Sequence, residues 1–315
     1  MSQASIPVAR PGASRHDKRV LDPNFVLDGN SRAKLMTRYG AGVDAWCAVL
    51  PEMVERYCLR WDLDLDKALS GNSSRVFIGR QHGNRRVVLK LTPDPAIANE
   101  EAIALRAWAA TPHAVDLLDA DLEAGALLLE HVEPGTKVSD EPQVPPVHEI
   151  AELLTSLRKT ATYDAGQLPA LAQGMEPMFS RIGGLLSHPQ VSALVARQVL
   201  DDGYHRACAL ASTGPQGLLH GDLHLFNILR AGRGRGLVAI DPRPSVGDLT
   251  WDAIDWTLDR ATSIAEVRER IERLGRLVPG LDPGRLWGWC QSTAAALAIL
   301  SGSAAVRQTP PHNSC

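Results

Sequence analysis

Apolar residues Trp46, Val49, Leu50, Met53, Val54, Tyr57, Cys58 and Trp61 recur at helical spacing over 44–61, and Pro51 is expected to kink or restart that helix. Two short β-type runs follow, 75–80 and 86–91, with Gln81-His82-Gly83-Asn84 between them as hairpin chemistry. Ser70-Gly71-Asn72-Ser73-Ser74, ahead of the hairpin, reads as a flexible, hydroxyl-rich stretch. Pro95 opens a helical pattern to about 109, and strands are expected over 114–119 and 126–132. Glu133-Pro134-Gly135-Thr136 then breaks the pattern. Beyond it helical spacing dominates, over 147–160, 175–187, 191–212, 248–261, 264–277 and 286–300. Strands and helices are segregated, which predicts an α+β fold rather than a doubly wound sheet. The expected organisation is a lead-in (1–24), a small strand-rich lobe (25–133), a larger helical lobe (134–302) and a flexible tail (303–315).

With 315 residues, 44% hydrophobic and 22% charged, the chain can bury a large core and is neither disordered nor fibrous. A net charge of −3 gives no electrostatic footprint for nucleic acid or for an anionic membrane. The five cysteines, Cys47, Cys58, Cys208, Cys290 and Cys315, are scattered and form no C-x-x-C pair. A reducing cytoplasm is the expected setting, and no secretory signal or membrane span is read. Monomer and dimer both stay open.

Chemistry concentrates in Leu218-Leu219-His220-Gly221-Asp222-Leu223-His224-Leu225-Phe226-Asn227-Ile228-Leu229, a polar core between apolar flanks. Downstream, the apolar strand Gly236-Leu237-Val238-Ala239-Ile240 delivers Asp241, followed by Pro242. That arrangement suits phosphoryl transfer, which asks mainly for positioning and charge stabilisation. Magnesium takes a few hard oxygen ligands, and Asn227 and Asp241 can supply them. Asp222 can accept the hydrogen bond of an attacking hydroxyl and take its proton.

The pattern H-G-D-x-x-x-x-N, then an apolar strand and I-D-P, resembles the aminoglycoside phosphotransferases, within the small-molecule branch of the protein-kinase-like superfamily. Such a kinase needs a cation on the nucleotide phosphates. In Val87-Val88-Leu89-Lys90, period two puts Val88 and Lys90 on one strand face, so Lys90 can point into a cleft with Val88 over the adenine. Glu101 falls on the apolar stripe of Ile97, Ala104, Leu105 and Trp108, where a carboxylate is costly unless paired. Lys90 is its natural partner. Ser73 and Ser74 sit where a phosphate-covering loop would be, although the stretch has one glycine and departs from the Gly-rich loop of protein kinases. The backbones of Glu130 and Val132 are candidates for holding the adenine. His220 and His224 are expected to fix the loop by hydrogen bonds. Asp248, Asp252, Asp255 and Asp259 fall on one helix face if that segment is helical, with Asp248 as its N-cap. Asp248 and Asp252 are expected to brace the catalytic loop, a role that the resemblance implies for Asp248.

The Ala45-Trp46 helix, Arg60-Trp61-Asp62-Leu63, Ala104-Leu105-Arg106-Ala107-Trp108, Leu127-Leu128-Leu129-Glu130 and Ala239-Ile240-Asp241-Pro242 are similar to the streptomycin 6-kinase and hydroxyurea phosphotransferase family. The resemblance implies a bilobal protein-kinase-like fold, ATP and Mg²⁺ as cofactors, and transfer of the γ-phosphate to a hydroxyl of a small cationic molecule. Streptomycin or a related aminoglycoside is the first expectation. Another hydroxylated metabolite, a peptide or nucleoside antibiotic, or a silent nucleotide-binding module are the alternatives. Asp255 and Glu176 are candidate acceptor contacts, with Asp201, Asp202, Trp287, Trp289 and Gln291 behind them. No A-P-E segment or long activation loop follows Asp241, which disfavours a protein kinase.

Overall fold

The computed structural model describes residues 22–308, which divide into two compact units on either side of Arg85/Arg86. The first contains α1 (Pro23–Val26), α2 (Gly29–Tyr39), α3 (Asp44–Arg60), β1 (Leu63–Ser70) and β2 (Arg75–Gln81). Pro51 lies inside α3 without ending it. A proline there forfeits one backbone hydrogen bond, but Leu50, Met53, Val54 and Tyr57 bury one face of the helix and hold it continuous. β1, which was not anticipated, pairs antiparallel with β2 from Leu63↔Gln81 to Ser70↔Arg75, with a bulge between Leu65 and Lys67. Arg75 is fully buried and spends its guanidinium on the carbonyls of Val26, Leu69 and Phe25 and on Ser31 Oγ.

The second unit opens with β3 (Arg85–Leu91), α4 (Pro95–Ala107), β4 (Leu117–Asp121) and β5 (Ala126–Glu130). β5 lies between β3 and β4, antiparallel to both, with Lys90 opposite Leu127. Then come β6 (Pro134–Lys137), α5 (Val147–Leu157), α6 (Leu171–Gly184), α7 (Pro189–Ser192) and α8 (Arg197–Ala211). β7 (Gln216–Leu219), β8 (Ile228–Ala231), β9 (Gly236–Ala239) and β10 (Ser245–Asp248) form two small sheets, β6-β8-β9 and β7-β10. The chain closes with α9 (Ile254–Leu258), α10 (Ile264–Leu277) and α11 (Pro283–Gln308).

One hydrophobic core runs from Ala98 and Leu105 on α4 and Leu127 on β5 to Ile150, Trp256, Trp289 and Ile299. Trp108 Nε1 donates to the carbonyl of Leu157 at 2.9 Å, and Val115 N–H to that of Ala239 at 3.1 Å. Residues 86–130 therefore share their core with the helices. The compact units accordingly part at Arg85/Arg86, rather than near 133 where the residue pattern changes.

Other departures are local. The helix expected over 191–212 is broken between α7 and α8, and 248–261 holds a strand end, a 3₁₀ turn (Trp251–Ala253) and the short α9. Residues 303–308, expected as tail, continue α11, and residues 23 and 24 of the expected lead-in belong to α1, capped by Asp22. The rest of both segments, with Cys315, lies outside the described residues. Cys47, Cys58, Cys208 and Cys290 are free thiols. Among the described residues no helix is long and apolar enough to cross a membrane.

Candidate active site

Two carboxylates, one from α4 and one from the stretch after β9, meet at Lys90. Its ammonium donates to Glu101 Oε2 at 2.5 Å and to Asp241 Oδ1 at 2.6 Å. Strand alternation buries Val87 and Leu89 and leaves Val88 and Lys90 on the other face of β3. Glu101 is 1% exposed on the buried stripe of α4, so it needs that cation. Burial pulls the Lys90 pKa down, but Asp241 and Glu101 outweigh it and the net shift is upward. Burial pushes Glu101 up, Lys90 offsets only part of this, and the negative charge of Asp241 adds to the rise. Asp241 is pushed up by burial too, yet Lys90, then Arg243, bring its carboxyl down to about 2. Asp241 is therefore ionised at neutral pH. It also has φ +55°, a left-handed backbone that aspartate tolerates better than most residues.

Asp222 and Asn227 are joined across the loop. The Asn227 amide Nδ2 donates to the Asp222 carbonyl at 2.9 Å and to its Oδ2 at 3.0 Å. That commits the amide nitrogen and leaves Asn227 Oδ1 as its acceptor atom. Ile240 N–H donates to the Asn227 carbonyl at 2.9 Å, continuing the β8–β9 ladder, so Asn227 lies opposite the residue preceding Asp241. Burial raises the Asp222 pKa, but His224, whose Nε2 is 3.4 Å from Oδ1, outweighs it, and the net shift is downward.

The loop is braced from behind. Asp252 accepts the backbone N–H of His220 at 2.7 Å and of Gly221 at 2.9 Å. His220 is fully buried, donates from Nε2 to the Ile240 carbonyl at 3.1 Å, and stacks on Trp108. Gly221 has φ +78°, and a β-carbon there would run into the Arg243 carbonyl. Gly221→Ala is expected to cost about 1–2 kcal/mol for the left-handed backbone alone. The clash adds to this and should lower kcat further by displacing Asp222. Urea unfolding together with initial rates checks it; wild-type stability and rate would contradict the account.

Asp252 and His220 oppose each other in pH. Burial, which its two N–H donors only partly offset, raises Asp252 to about 6, so the folded chain binds the extra proton and stability falls as pH rises from about 4 to 6. Burial lowers His220 to about 4, so the unfolded chain binds the extra proton and stability climbs with pH from about 4 to 6.5. Each contribution is about 3 kcal/mol, and in the wild type they nearly cancel. Asp252→Asn should expose the His220 rise, and His220→Gln the Asp252 fall, in urea unfolding at stepped pH. Variant profiles parallel to wild type across this window would contradict the assignment.

Residues 60–308 match the sequence model of the aminoglycoside/hydroxyurea antibiotic resistance kinase family. The chain belongs to that family. It is 32% identical over 266 residues to a streptomycin 6-kinase of Streptomyces glaucescens, covering 80% of this chain and 82% of that one. Among solved structures it is similar to a macrolide 2'-phosphotransferase of Brachybacterium faecium, with TM-score 0.55 and 17% identity over 82% of this chain and 94% of the other. It is also similar to an aminoglycoside phosphotransferase solved with ADP and hygromycin B, with TM-score 0.51 and 18% identity over 81% of this chain and 94% of the other. The fold is α+β and protein-kinase-like.

In this small-molecule kinase, several candidates fall away from the positions the sequence suggests. Asp248 ends β10 rather than capping a helix. Its buried carboxylate accepts from Thr250 N–H, Arg285 Nε and Trp289 Nε1, the last two at 2.5 Å. Only Asp255 of the expected acidic face lies in α9, because Asp252 is in the 3₁₀ turn and Asp259 is the residue that ends the helix. Glu176 is exposed on α6 and does not line the cavity beside Asp222; Met178 does, and two residues are roughly 200° apart around a helix. Nor do Asp201, Asp202, Trp287, Trp289 or Gln291 line it; Trp289 is buried against Asp248. Glu130 donates its N–H to the Asp116 carbonyl at 3.0 Å and pairs its carboxylate with Arg235, so that N–H is not free for a base. Val132 N–H meets no partner among the described residues. Ser73 and Ser74 are buried in the first unit, in the turn between β1 and β2. Arg243, which the sequence reading passed over, follows Pro242, donates its N–H to the His220 carbonyl at 2.8 Å, and adds positive charge near Asp241 and Glu101.

Proposed function

We propose that this kinase is an ATP- and Mg²⁺-dependent O-phosphotransferase whose acceptor is a hydroxyl of a small cationic antibiotic, streptomycin or a related aminoglycoside. The meeting of Lys90, Glu101 and Asp241 carries the reading: a buried ammonium shared by two carboxylates is costly to build. Phosphates supply the anion such a lysine serves. The donor set also fits Mg²⁺, since Asn227 keeps an amide oxygen and Asp241 a second, ionised carboxylate oxygen. Mg²⁺ would neutralise charge on the phosphates. Lys90, held by Glu101, orients them, with Val88 and Val132 N–H as further nucleotide contacts. Asp222, ionised and fixed by Asn227, accepts the acceptor's hydroxyl hydrogen bond and takes its proton. His220, Asp248 and Asp252 position the loop. Asp255 meets the acceptor's positive charge in a cavity of about 840 Å³ that Asp222 also lines.

A coupled ADP-release assay over streptomycin, other aminoglycosides, peptide antibiotics and nucleosides tests the proposal. The expected result is ADP release with streptomycin or a close relative, and a product bearing one added phosphate by mass spectrometry. ADP release with no member of the panel would overturn it.

A further inference from the structure

We infer that Phe226 is a specificity-determining residue of the acceptor cavity, stacking on a cationic group of an acceptor ring whose charge is met by Asp255. The inference rests on reading that cavity as the acceptor's site. Phe226 lies in the 3₁₀ turn Leu225–Asn227, between Asp222 and Asn227. Its neighbour Leu225 is buried, and so is Ile228, yet Phe226 is 68% exposed. A large aromatic this exposed, within a loop otherwise fixed by hydrogen bonds, stands outside the core. Its one ring contact among the described residues is a nearly perpendicular meeting with His224 at 5.7 Å, which leaves most of the ring open. Phe226 lines the same cavity as Asp222 and Asp255.

Asp255 supplies the second observation. Its carboxylate makes no hydrogen bond or ion pair among the described residues. Burial raises its pKa, His224 offsets part of that, and Asp222 and Asp259 add to it. Of the two arginines on the lining, Arg260 is committed to the carbonyls of Glu141 and Ser139. Arg181 is the other. Met178, Ile182, Leu258, Leu297 and Leu300 make much of the remaining wall apolar. An open aromatic ring, a carboxylate with no hydrogen bond or ion pair among the described residues and an apolar wall together fit a ring bearing guanidinium or ammonium substituents, since a cation over an aromatic face is attracted by the ring as well as by the carboxylate.

Phe226→Leu keeps apolar bulk and removes the aromatic face, Phe226→Tyr keeps the face, and Ile264→Ser is a control for an equally exposed apolar residue that does not line the cavity. The probe is streptomycin, whose ring carries guanidinium groups, titrated calorimetrically without nucleotide. Phe226→Leu is expected to weaken its binding about tenfold, while Phe226→Tyr and Ile264→Ser bind like wild type. The streptomycin KM should follow the same order, with the Mg–ATP KM unchanged. Phe226→Leu binding like wild type, or Phe226→Tyr as weak as Phe226→Leu, would overturn the inference. So would a wild-type chain that binds neither streptomycin nor any other aminoglycoside. A chain that binds streptomycin with this dependence but transfers no phosphate would sink the phosphotransferase reading and leave the cavity assignment standing.

Discussion

Asp222→Asn is expected to lower kcat by about 10²–10⁴-fold, the usual worth of a positioned general base, with Mg–ATP affinity within about twofold of wild type. Asparagine keeps the shape, and its oxygen can still accept from Asn227 Nδ2, so the loop holds. What disappears is the negative charge and the place for the proton. The stability change should be small, because Asp222 and His224 are 44% and 36% exposed at the side chain and such a pair is largely screened. The Asp222 pKa is shifted downward, so protonation of this carboxylate contributes no acid limb to wild-type turnover between pH 5 and 8. Steady-state rates, calorimetry and a thermal melt check all three statements. A variant retaining more than a tenth of wild-type kcat would remove Asp222 from the role of base.

Lys90→Met should have the largest effect on stability, about 3–5 kcal/mol, the range for breaking a buried ion pair by deleting one partner. Methionine matches the length of the stem but leaves Glu101, at 1% exposure, and Asp241 without their shared cation. Glu101 relieves part of the loss by taking a proton, since its pKa is already raised by burial and Lys90 is what now opposes that. Its folded pKa then stands further above the unfolded value near 4.5. The folded variant binds the extra proton, so its stability falls as pH rises above about 4.5. The deficit relative to wild type should therefore be smaller at pH 5 than at pH 8. A deficit independent of pH, or below about 1 kcal/mol, would mean that the three side chains are not coupled as described. Turnover should fall together with nucleotide affinity, unlike in Asp222→Asn.

How much was legible in the sequence follows from the range of each signal. Lys90 facing away from Val87 and Leu89 follows from period two, and Glu101 on the buried stripe of α4 from period 3.6. Both are local and both could be read. Asp222, Asn227 and Asp241 were legible as a spacing around an apolar strand. β1 was missed because its alternation, Leu63-Asp64-Leu65-Asp66, is short and breaks at Lys67, where the bulge after Leu65 shifts its register. The fate of Asp248 could not be read locally, since Arg285 and Trp289 draw its carboxylate from the far end of the chain. The position of the unit boundary is likewise non-local: residues 86–130 change partners because of what α4 and β5 pack against, not because of their own composition.

In the proposed reaction Asn227 and Asp241 hold the metal–nucleotide beside Lys90. Calorimetric titration with Mg–ATP of wild type, Asn227→Ala and Asp241→Ala tests it without requiring the acceptor to be known. The account predicts binding to wild type and about tenfold or greater weakening in each variant, with both variants still folded by circular dichroism. Mg–ATP affinity unchanged in folded Asp241→Ala would contradict it.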